Sequence, residues 1–292
     1  MTISLTGSDV KLMWGKEDVY GTAVTANKVF GICPSLQSWT ITRNQNRRYG
    51  IGNREACTIN EGNTEYALEV EFQLTSATDL FELPFSKTTG TPVTKYEPDT
   101  DQESATIVAN FLDDDGAVIS YTFAGCNVTS LSIDTSSGEP LDVTMGFVFK
   151  SYAIGTTALT PSYTLAGRTF ADATITIGTD TSATVQSFTI SAETGVGNTY
   201  GIGSRLPGAR SFGNYEYTVS IEHIRNTDLN LASLATSAPF DVTLEVSTGA
   251  SSSITFTLGD CSIDSYDTSA TGEDEVTESL ELIPRTMKVE IA

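Results

Sequence analysis

A recurring hexapeptide constrains the fold of this chain more than any other feature. The residues YGIGNR at 49–54 return as YGIGSR at 200–205, which is 151 positions later in a chain of 292 residues. Similarity at about half the chain length is typical of a duplicated domain, and it takes precedence over any fold suggested by a single segment. The repeat therefore predicts two halves of similar structure.

The segments that flank the hexapeptides also correspond. LQSWTIT at 36–42 matches VQSFTIS at 185–191, and EYALEVEFQL at 65–74 matches EYTVSIEH at 216–223. All four alternate apolar and polar residues, which is typical of strands that are buried on one face. We expect their glutamates to share the opposite, polar face: Glu65, Glu69 and Glu71 in the first half, and Glu216 and Glu222 in the second.

Three further pairs of segments follow in the same order. ATDLFEL at 77–83 and NTDLNLASL at 226–234 each predict a short helix capped by Thr or Asp. A hairpin turning at Asp115-Gly116 leads to Cys126, and a similar strand ends at Cys261. The last pair begins with DTSSGE at Asp134 and with DTSATGE at Asp267.

Five landmarks in one order predict a mainly β protein with two tandem copies of one domain, each carrying a short flanking helix. The predicted boundaries are residues 1–154 for the first domain, 155–162 for a linker and 163–292 for the second domain.

The balance of charge excludes several classes of partner. The chain has 37 acidic and 16 basic residues and a net charge of −21, so its surface repels polyphosphates and anionic lipids. No apolar run has the length of a membrane span, and the start lacks the order of a signal peptide. We expect a protein made in a cytoplasm, with reduced cysteines and no membrane partner. Adaptation to a salt-rich host also accounts for the acidity.

Motifs for catalysis and for cofactor binding are missing from the sequence. The one histidine, His223, lies in the apolar phase of a strand, where a core position is the simpler interpretation. No G-x-S-x-G elbow occurs, and neither glycine-rich hexapeptide completes G-x-G-x-x-G. Asp113, Asp114 and Asp115 lack the ligand alternation of a calcium loop. The sequence predicts no enzyme, no cofactor and no metal site.

The two glycine-rich loops are basic although the chain is acidic. The first loop carries Arg43, Arg47, Arg48 and Arg54, and the second carries Arg205 and Arg210. Such loops are either solvated, or they dock on an acidic rim of another molecule, because opposite charges steer and orient association.

This order of segments, with WGKEDVYGTAV near the start, resembles the tail tube proteins of long-tailed bacterial and archaeal viruses. The resemblance implies β-sandwich or half-barrel domains, six of which close a ring with a β-barrel as its inner wall. A chain with two such domains then forms a trimer of pseudo-sixfold symmetry. The glutamates named above would line the lumen. The residues of the loops that stack on the next ring would be Arg43, Arg47, Arg48, Tyr49, Gly50, Gly52, Arg54, Tyr200, Gly201, Gly203, Arg205 and Arg210.

The same resemblance implies partners and a location. The partners would be further copies of the chain, the tape measure, tail terminator and distal tail proteins, and double-stranded DNA in passage during genome ejection. The protein would be assembled in the host cytoplasm and would reside in the virion tail. Two alternatives remain: a tandem β-sandwich lectin or adhesin that uses Trp14, Tyr20 and Tyr96, and a tube of a contractile injection or secretion system.

Overall fold

Antiparallel strands make up most of the structure, which is a computed structural model. It describes residues 10–52, 54–75, 79–89, 93–98, 101–112, 117–162, 167–178, 180–182, 184–225, 239–247, 253–270 and 276–292. Helical structure in these residues is limited to short 3-10 turns, such as Asp79–Glu82 and Phe170–Asp172. The prediction of a mainly β protein is confirmed.

The strands are numbered in chain order. The first half contains β1 (Lys11–Lys16), β2 (Ile32–Arg43), β3 (Asn46–Tyr49), β4 (Ala56–Asn60), β5 (Thr64–Gln73), β6 (Ser86–Thr88), β7 (Thr94–Glu97), β8 (Ala105–Leu112), β9 (Val118–Ser136), β10 (Asp142–Val148) and β11 (Ser151–Gly155). The second half contains β12 (Ala173–Ile177), β13 (Asp180–Ser182), β14 (Val185–Glu193), β15 (Gly197–Thr199), β16 (Ala209–Ser211), β17 (Glu216–Ile224), β18 (Phe240–Ser247), β19 (Ser253–Ser269), β20 (Thr277–Ile283) and β21 (Thr286–Ile291).

One sheet runs through both halves, and we call it the shared sheet. Its strand order is β2-β5-β10-β9 from the first half, followed by β14-β17-β20-β19 from the second. The halves join where β9 pairs with β14, from Ser187 opposite Ser136 to Glu193 opposite Ser130. Backbone hydrogen bonds therefore connect the two halves.

Each half adds an outer sheet. The first outer sheet has the order β1-β8-β9-β11, and the second has β13-β12-β18-β19-β21-β7-β6. The long strands β9 and β19 belong to both an outer sheet and the shared sheet, because each continues from one into the other. The β6–β7 hairpin comes from the first half but extends the outer sheet of the second.

The strand pairing of the first half is largely repeated in the second, although β2 has two bulges against β5 and β14 has one against β17. The pairing aligns Trp39 with Ile190, two residues away from the Phe188 suggested by the sequence match. From β8 to β11 the register repeats 135 positions later: Ala105 faces Cys126 as Phe240 faces Cys261, and a bulge follows each pair. A second bulge lies beside Phe147 on β10, and its counterpart lies beside Leu282 on β20. This pairing aligns Asp267 with Ser132, which is two residues away from the Asp134 suggested by the shared DTS motif.

The core lies on the inner face of the shared sheet, and it is continuous through both halves. It is built from the alternating positions that the sequence predicts to be apolar, for example Val70, Met145 and Ile221, all 0–1% exposed. Trp39 of β2 packs its ring 5.7 Å from that of Phe123 on β9, so aromatic contacts join the shared sheet to the first outer sheet.

Some predicted local features differ from the structure. The predicted helix at 77–83 is a 3-10 turn of four residues, Asp79–Glu82. The predicted helix at 226–234 and the Asp115-Gly116 turn lie outside the described residues. A single chain does not close a barrel: in the described residues β2 pairs only with β5, and the end of β19 pairs only with β20. The predicted linker at 155–162 begins at the last residue of β11, and the domain boundaries stay a prediction.

Truncation of the core in either half should lower the stability of the whole chain, because the β9–β14 pairing makes the halves one sheet. Phe123 and Leu258 are fully buried at equivalent positions. We expect Phe123→Ala and Leu258→Ala each to lower the free energy of unfolding by about 2–5 kcal/mol. Circular dichroism in urea should show one common transition in both variants.

The matched controls are Thr122→Ala and Thr257→Ala, which alter the partly exposed neighbouring positions. They should change the free energy of unfolding by less than about 1 kcal/mol. Two separate transitions, each responding to only one of the core substitutions, would contradict a shared cooperative unit.

Candidate functional site

The outward face of the shared sheet is acidic. All five glutamates that the sequence places on a polar face lie here: Glu65, Glu69, Glu71, Glu216 and Glu222. Six further acidic residues that sequence reasoning missed share the face: Asp134, Asp142, Glu193, Asp264, Asp267 and Glu281. The remaining outward positions of the described strands are mainly Ser, Thr and Gly, and none is Lys or Arg.

The missed acidic residues carried a readable signal. The alternation in SIDTS and in DVTMGF places Asp134 and Asp142 in the same phase as the serines and threonines around them. The pairing of strands, however, decides that these phases form one continuous surface, and pairing is not visible in either segment alone.

Hydroxyl and amide groups surround several carboxylates of this face. Ser187 Oγ donates to Glu222 Oε2 at 3.3 Å, and Ser265 Oγ donates to Glu281 Oε2 at 3.0 Å. Gln37, in a bulge of β2, donates its amide to Glu71. The negative charge is therefore solvated and hydrogen-bonded, and no described ion pair neutralises these three carboxylates.

Asp134 and Asp142 lie directly opposite each other on β9 and β10. Burial raises the pKa of both carboxyl groups, and the charges of Asp134 and Glu71 raise that of Asp142 further. A like-charged pair directly across two strands is destabilising when both members are ionised.

The two edges of the shared sheet repeat the internal junction. β2 corresponds to β14, and the end of β19 corresponds to the end of β9, because each pair occupies the same place in its half. β9 and β14 pair with each other inside the chain. The strands at the two free edges, β2 and the end of β19, are their counterparts and could therefore pair in the same way. An unpaired edge of this length is an association site.

Two hairpin arms project from the shared sheet, and they contain the repeated hexapeptides. We call them the first arm (residues 44–63, β3 and β4) and the second arm (residues 194–215, β15 and β16). Their registers are the same, with Arg47 opposite Ile59 and Asn198 opposite Arg210. Both crests are exposed to solvent at Ile51 and Ile202, which have relative exposures of 108% and 109%.

The crest glycines allow the tight path of each arm. Gly52 and Gly203 have φ values of 84° and 86°, a region that disfavours side chains with a Cβ. Tyr49, Gly50 and Gly201 flank these positions on the same crests.

The arm arginines differ in their surroundings. Arg43, Arg47, Arg48 and Arg54 of the first arm and its base are exposed. In the second arm Arg205 forms an ion pair with Glu61 of the first arm, and its peptide oxygen accepts from Thr64 N at 2.8 Å. Arg210 binds Asp101 at 2.8 Å and lies over the Tyr20 ring. Arg205 and Arg210 are therefore engaged within the chain.

His223 lies in the core, as its position in the sequence indicates, but it has a charged neighbour. It is 0% exposed, and its Nε2 lies 3.2 Å from Glu278 Oε2. Tyr266 donates its hydroxyl to the other oxygen of Glu278 at 2.7 Å, and Arg225 lies 3.4 Å from that oxygen. The equivalent positions in the first half are apolar, namely Phe72, Val143 and Leu131.

The aromatic residues considered for a lectin or adhesin do not form an exposed surface. Trp14 and Tyr96 are each 1% exposed, and Tyr20 lies under Arg210. Among the described residues no cluster of three or more His, Cys, Asp or Glu could hold a metal ion, and no helix is long and apolar enough to cross a membrane.

Comparison with known families gives one result. The model of a family described as phage tail tube protein matches residues 7–283, which is nearly the whole chain. The comparison with curated proteins found no match.

Replacing Asp142 with Asn should stabilise the protein at neutral pH. The raised pKa means that folding favours the protonated carboxyl, so its ionisation lowers stability progressively as pH rises through the unfolded and then the folded pKa. We expect the free energy of unfolding to rise by about 0.5 kcal/mol at pH 7.

The gain should vanish below about pH 3, where Asp142 is protonated in both states. Urea titrations at the two pH values measure the free energy of unfolding. The control is Glu69→Gln, because the residue opposite Glu69 on β10 is Gly146 rather than an acidic residue. An equal gain at both pH values would contradict the electrostatic explanation.

Proposed function

Because this chain belongs to the phage tail tube protein family, we propose that it is the major tail tube subunit and that its copies close into rings, which stack into a hollow tube for DNA. The observation that carries this proposal is the geometry of the shared sheet. It has an acidic outward face and two edges that repeat its own internal junction.

Ring closure follows from joining unlike edges. If β19 of one copy meets β2 of the next as β9 meets β14, Thr268 lies opposite Trp39 and Tyr266 opposite Ile41. The corresponding internal pairs are Ile133 with Ile190 and Leu131 with Ala192. A junction between two different edges is head-to-tail and produces a ring when its rotation closes. Three chains, each supplying two of six domain positions, complete the pseudo-sixfold ring that the family resemblance implies.

Closure of the sheet satisfies its backbone and orients its faces. A closed barrel has no unpaired edges, so the free N–H and C=O groups of β2 and β19 gain partners. The core face is covered by the outer sheets, so the acidic face becomes the wall of the lumen. Phosphate is repelled by this wall, which lets DNA slide through without binding.

The crests of the arms are the contacts that we assign to ring stacking. Ile51 and Ile202 project fully into solvent in the single chain, so their burial against another ring would remove apolar surface from water. Arg54 and Arg205 flank the crests and add positive charge near an acidic neighbour. The exposure of the crests supports stacking better than the charge of Arg205, which already binds Glu61.

Electron microscopy of the concentrated purified protein tests the proposal. We expect rings of trimeric mass and hollow rods of stacked rings. The variant Ile51→Asp/Ile202→Asp loses apolar surface at both crests and would bury a carboxylate on stacking. We therefore expect rings to persist while rods are lost. A protein that stays monomeric at every concentration and binds glycans would instead support a binding module.

The lumen assignment predicts an effect of charge on DNA passage. In virions assembled with Glu69→Lys/Glu216→Lys subunits, genome ejection should be slower, because lysines on the wall attract phosphate. Ejection is measured as DNA release over time after triggering.

The matched control is Glu97→Lys/Glu245→Lys, which makes the same charge change on the exposed faces of β7 and β18. Tubes should form in both cases. Equal ejection rates for the two variants would contradict a lumenal position of Glu69 and Glu216.

A further inference from the structure

The second arm is seated on the first half of its own chain. Asn198 donates to the Phe149 oxygen at 3.3 Å and lies 3.4 Å from the Tyr20 hydroxyl. Arg210 binds Asp101, and the Tyr200 hydroxyl donates to the Thr64 oxygen at 2.9 Å. These contacts hold both strands of the second arm against the body, and the crest projects beyond them.

The first arm has the same register but shows no such seat among the described residues of its own chain. All four residues of β3 are exposed, and Tyr49 and Ile59 are 59% and 56% exposed. Its described contacts lie near its base, where Asn44 binds Glu65 and Glu61 binds Arg205. The first half of the chain is already occupied by the second arm, so the matching seat for the first arm is on a second half.

The second half has a surface equivalent to the seat, and it is exposed. With the 135-position register, Gly125, Phe149 and Lys150 correspond to Asp260, Pro284 and Arg285. Gly125 and Asp260 share a positive φ, 73° and 52°, and the Lys150 and Arg285 amides bond to the equivalent oxygens of Ala124 and Gly259. The Asp260 and Arg285 side chains are 58% and 79% exposed.

The difference between the two seats is one of charge. A Cβ on Gly125 would lie 3.0 Å from the Tyr20 ring, so the side chain of Asp260 occupies the place that Tyr20 takes in the first half. Asp241 accepts from Asp260 N at 3.0 Å and adds a second carboxylate. Among the described residues Arg285 is paired with Asp260, at 3.5 Å, and both side chains are more than half exposed, so a further cation can approach the carboxylate.

We propose that the first arm docks on the second half of a neighbouring copy of this chain, with Arg47 bound to Asp260. Arg47 occupies the register position of Asn198, the residue that meets Tyr20 and the Phe149 oxygen in the internal seat. In the docked arm its guanidinium meets the Asp260 carboxylate and the oxygen of Pro284. The contact of Asn198 within the chain is between neutral groups, whereas the contact of Arg47 with Asp260 of a neighbour is between charged groups. This difference favours each arm in its own seat.

The docking is lateral, within one ring, and it rests on the ring that we propose above. The neighbour whose β19 pairs with β2 also brings its second half beside the first arm, as the first half lies beside the second arm in each chain. The sides of both arms therefore strengthen the ring, and the crests remain available for the next ring.

A cysteine pair tests the geometry. The variant Arg47→Cys/Asp260→Cys is made in a Cys33→Ser/Cys57→Ser background, because both native thiols are exposed. After treatment of assembled protein with a bifunctional maleimide, whose spacer replaces the length of the two truncated side chains, we expect a covalent trimer on a denaturing gel and no larger species. The matched control is Tyr20→Cys/Asn198→Cys in the same background, which should be cross-linked within one chain and run as a monomer.

The outcomes are distinct. Covalent ladders longer than a trimer would mean that the first arm reaches another ring, and rings on the grid without cross-linked chains would mean that it docks elsewhere; both overturn the inference and leave the tube function intact. If the parent protein forms no rings while the control cross-link forms, the proposed function fails and the inference with it.

A charge substitution tests the same contact through the stability of the ring, without any cross-link. Arg47→Glu should raise the concentration at which rings dissociate by at least about tenfold, as measured by sedimentation. Arg48→Glu makes the same change on the next residue of β3, which faces the other side of the arm, and should have a smaller effect. Equal effects of the two substitutions would contradict a specific contact of Arg47.

Discussion

The pairing of β9 with β14 is the interaction on which the rest of this structure depends. Without it the two halves would lack one continuous sheet, and each part of the shared sheet would have two exposed edges of its own. With it the polar faces of both halves align, because side chains alternate strictly along paired strands and the register determines which face each one joins. It also leaves β2 and the end of β19 as a pair of edges that repeat the junction already formed.

The acidic face is costly for the single chain. Asp134 and Asp142 face each other, as do Glu193 and Glu216, and repulsion within such pairs opposes folding. The core beneath the face offsets that cost, since the buried alternating positions of eight strands form one apolar cluster. A face with serines and threonines rather than lysines between the carboxylates fits the wall that we propose for the passage of DNA.

The two halves differ most where one half meets solvent or another chain and the other half is covered internally. Gly125 lies under Tyr20, whereas Asp260 is exposed, and Asn198 is seated while Arg47 is not. The edge strand β19 carries Tyr266, part of a buried polar group with His223 and Glu278, where the internal strand β9 has Leu131. At these positions the same backbone geometry therefore carries different side chains.

Several features could be predicted from the sequence because they depend on local patterns. Period-two alternation predicted β5, β17 and their polar glutamates, and the repeated hexapeptides predicted two matching arms. Local patterns were less reliable where packing overrides them: the expected helix at 77–83 is only a 3-10 turn, and the aromatic residues considered for glycan binding lie in the core or under an arginine.

The sequence by itself determined the β architecture, the two-fold repetition and the acidity, since these follow from residue types and their spacing. Only the tertiary structure decided that eleven acidic residues share one face, that Arg205 and Arg210 are engaged within the chain, and that the first arm has no equivalent seat among the described residues. Each of these depends on which strands become neighbours, and backbone hydrogen bonds between residues far apart in the chain set that order.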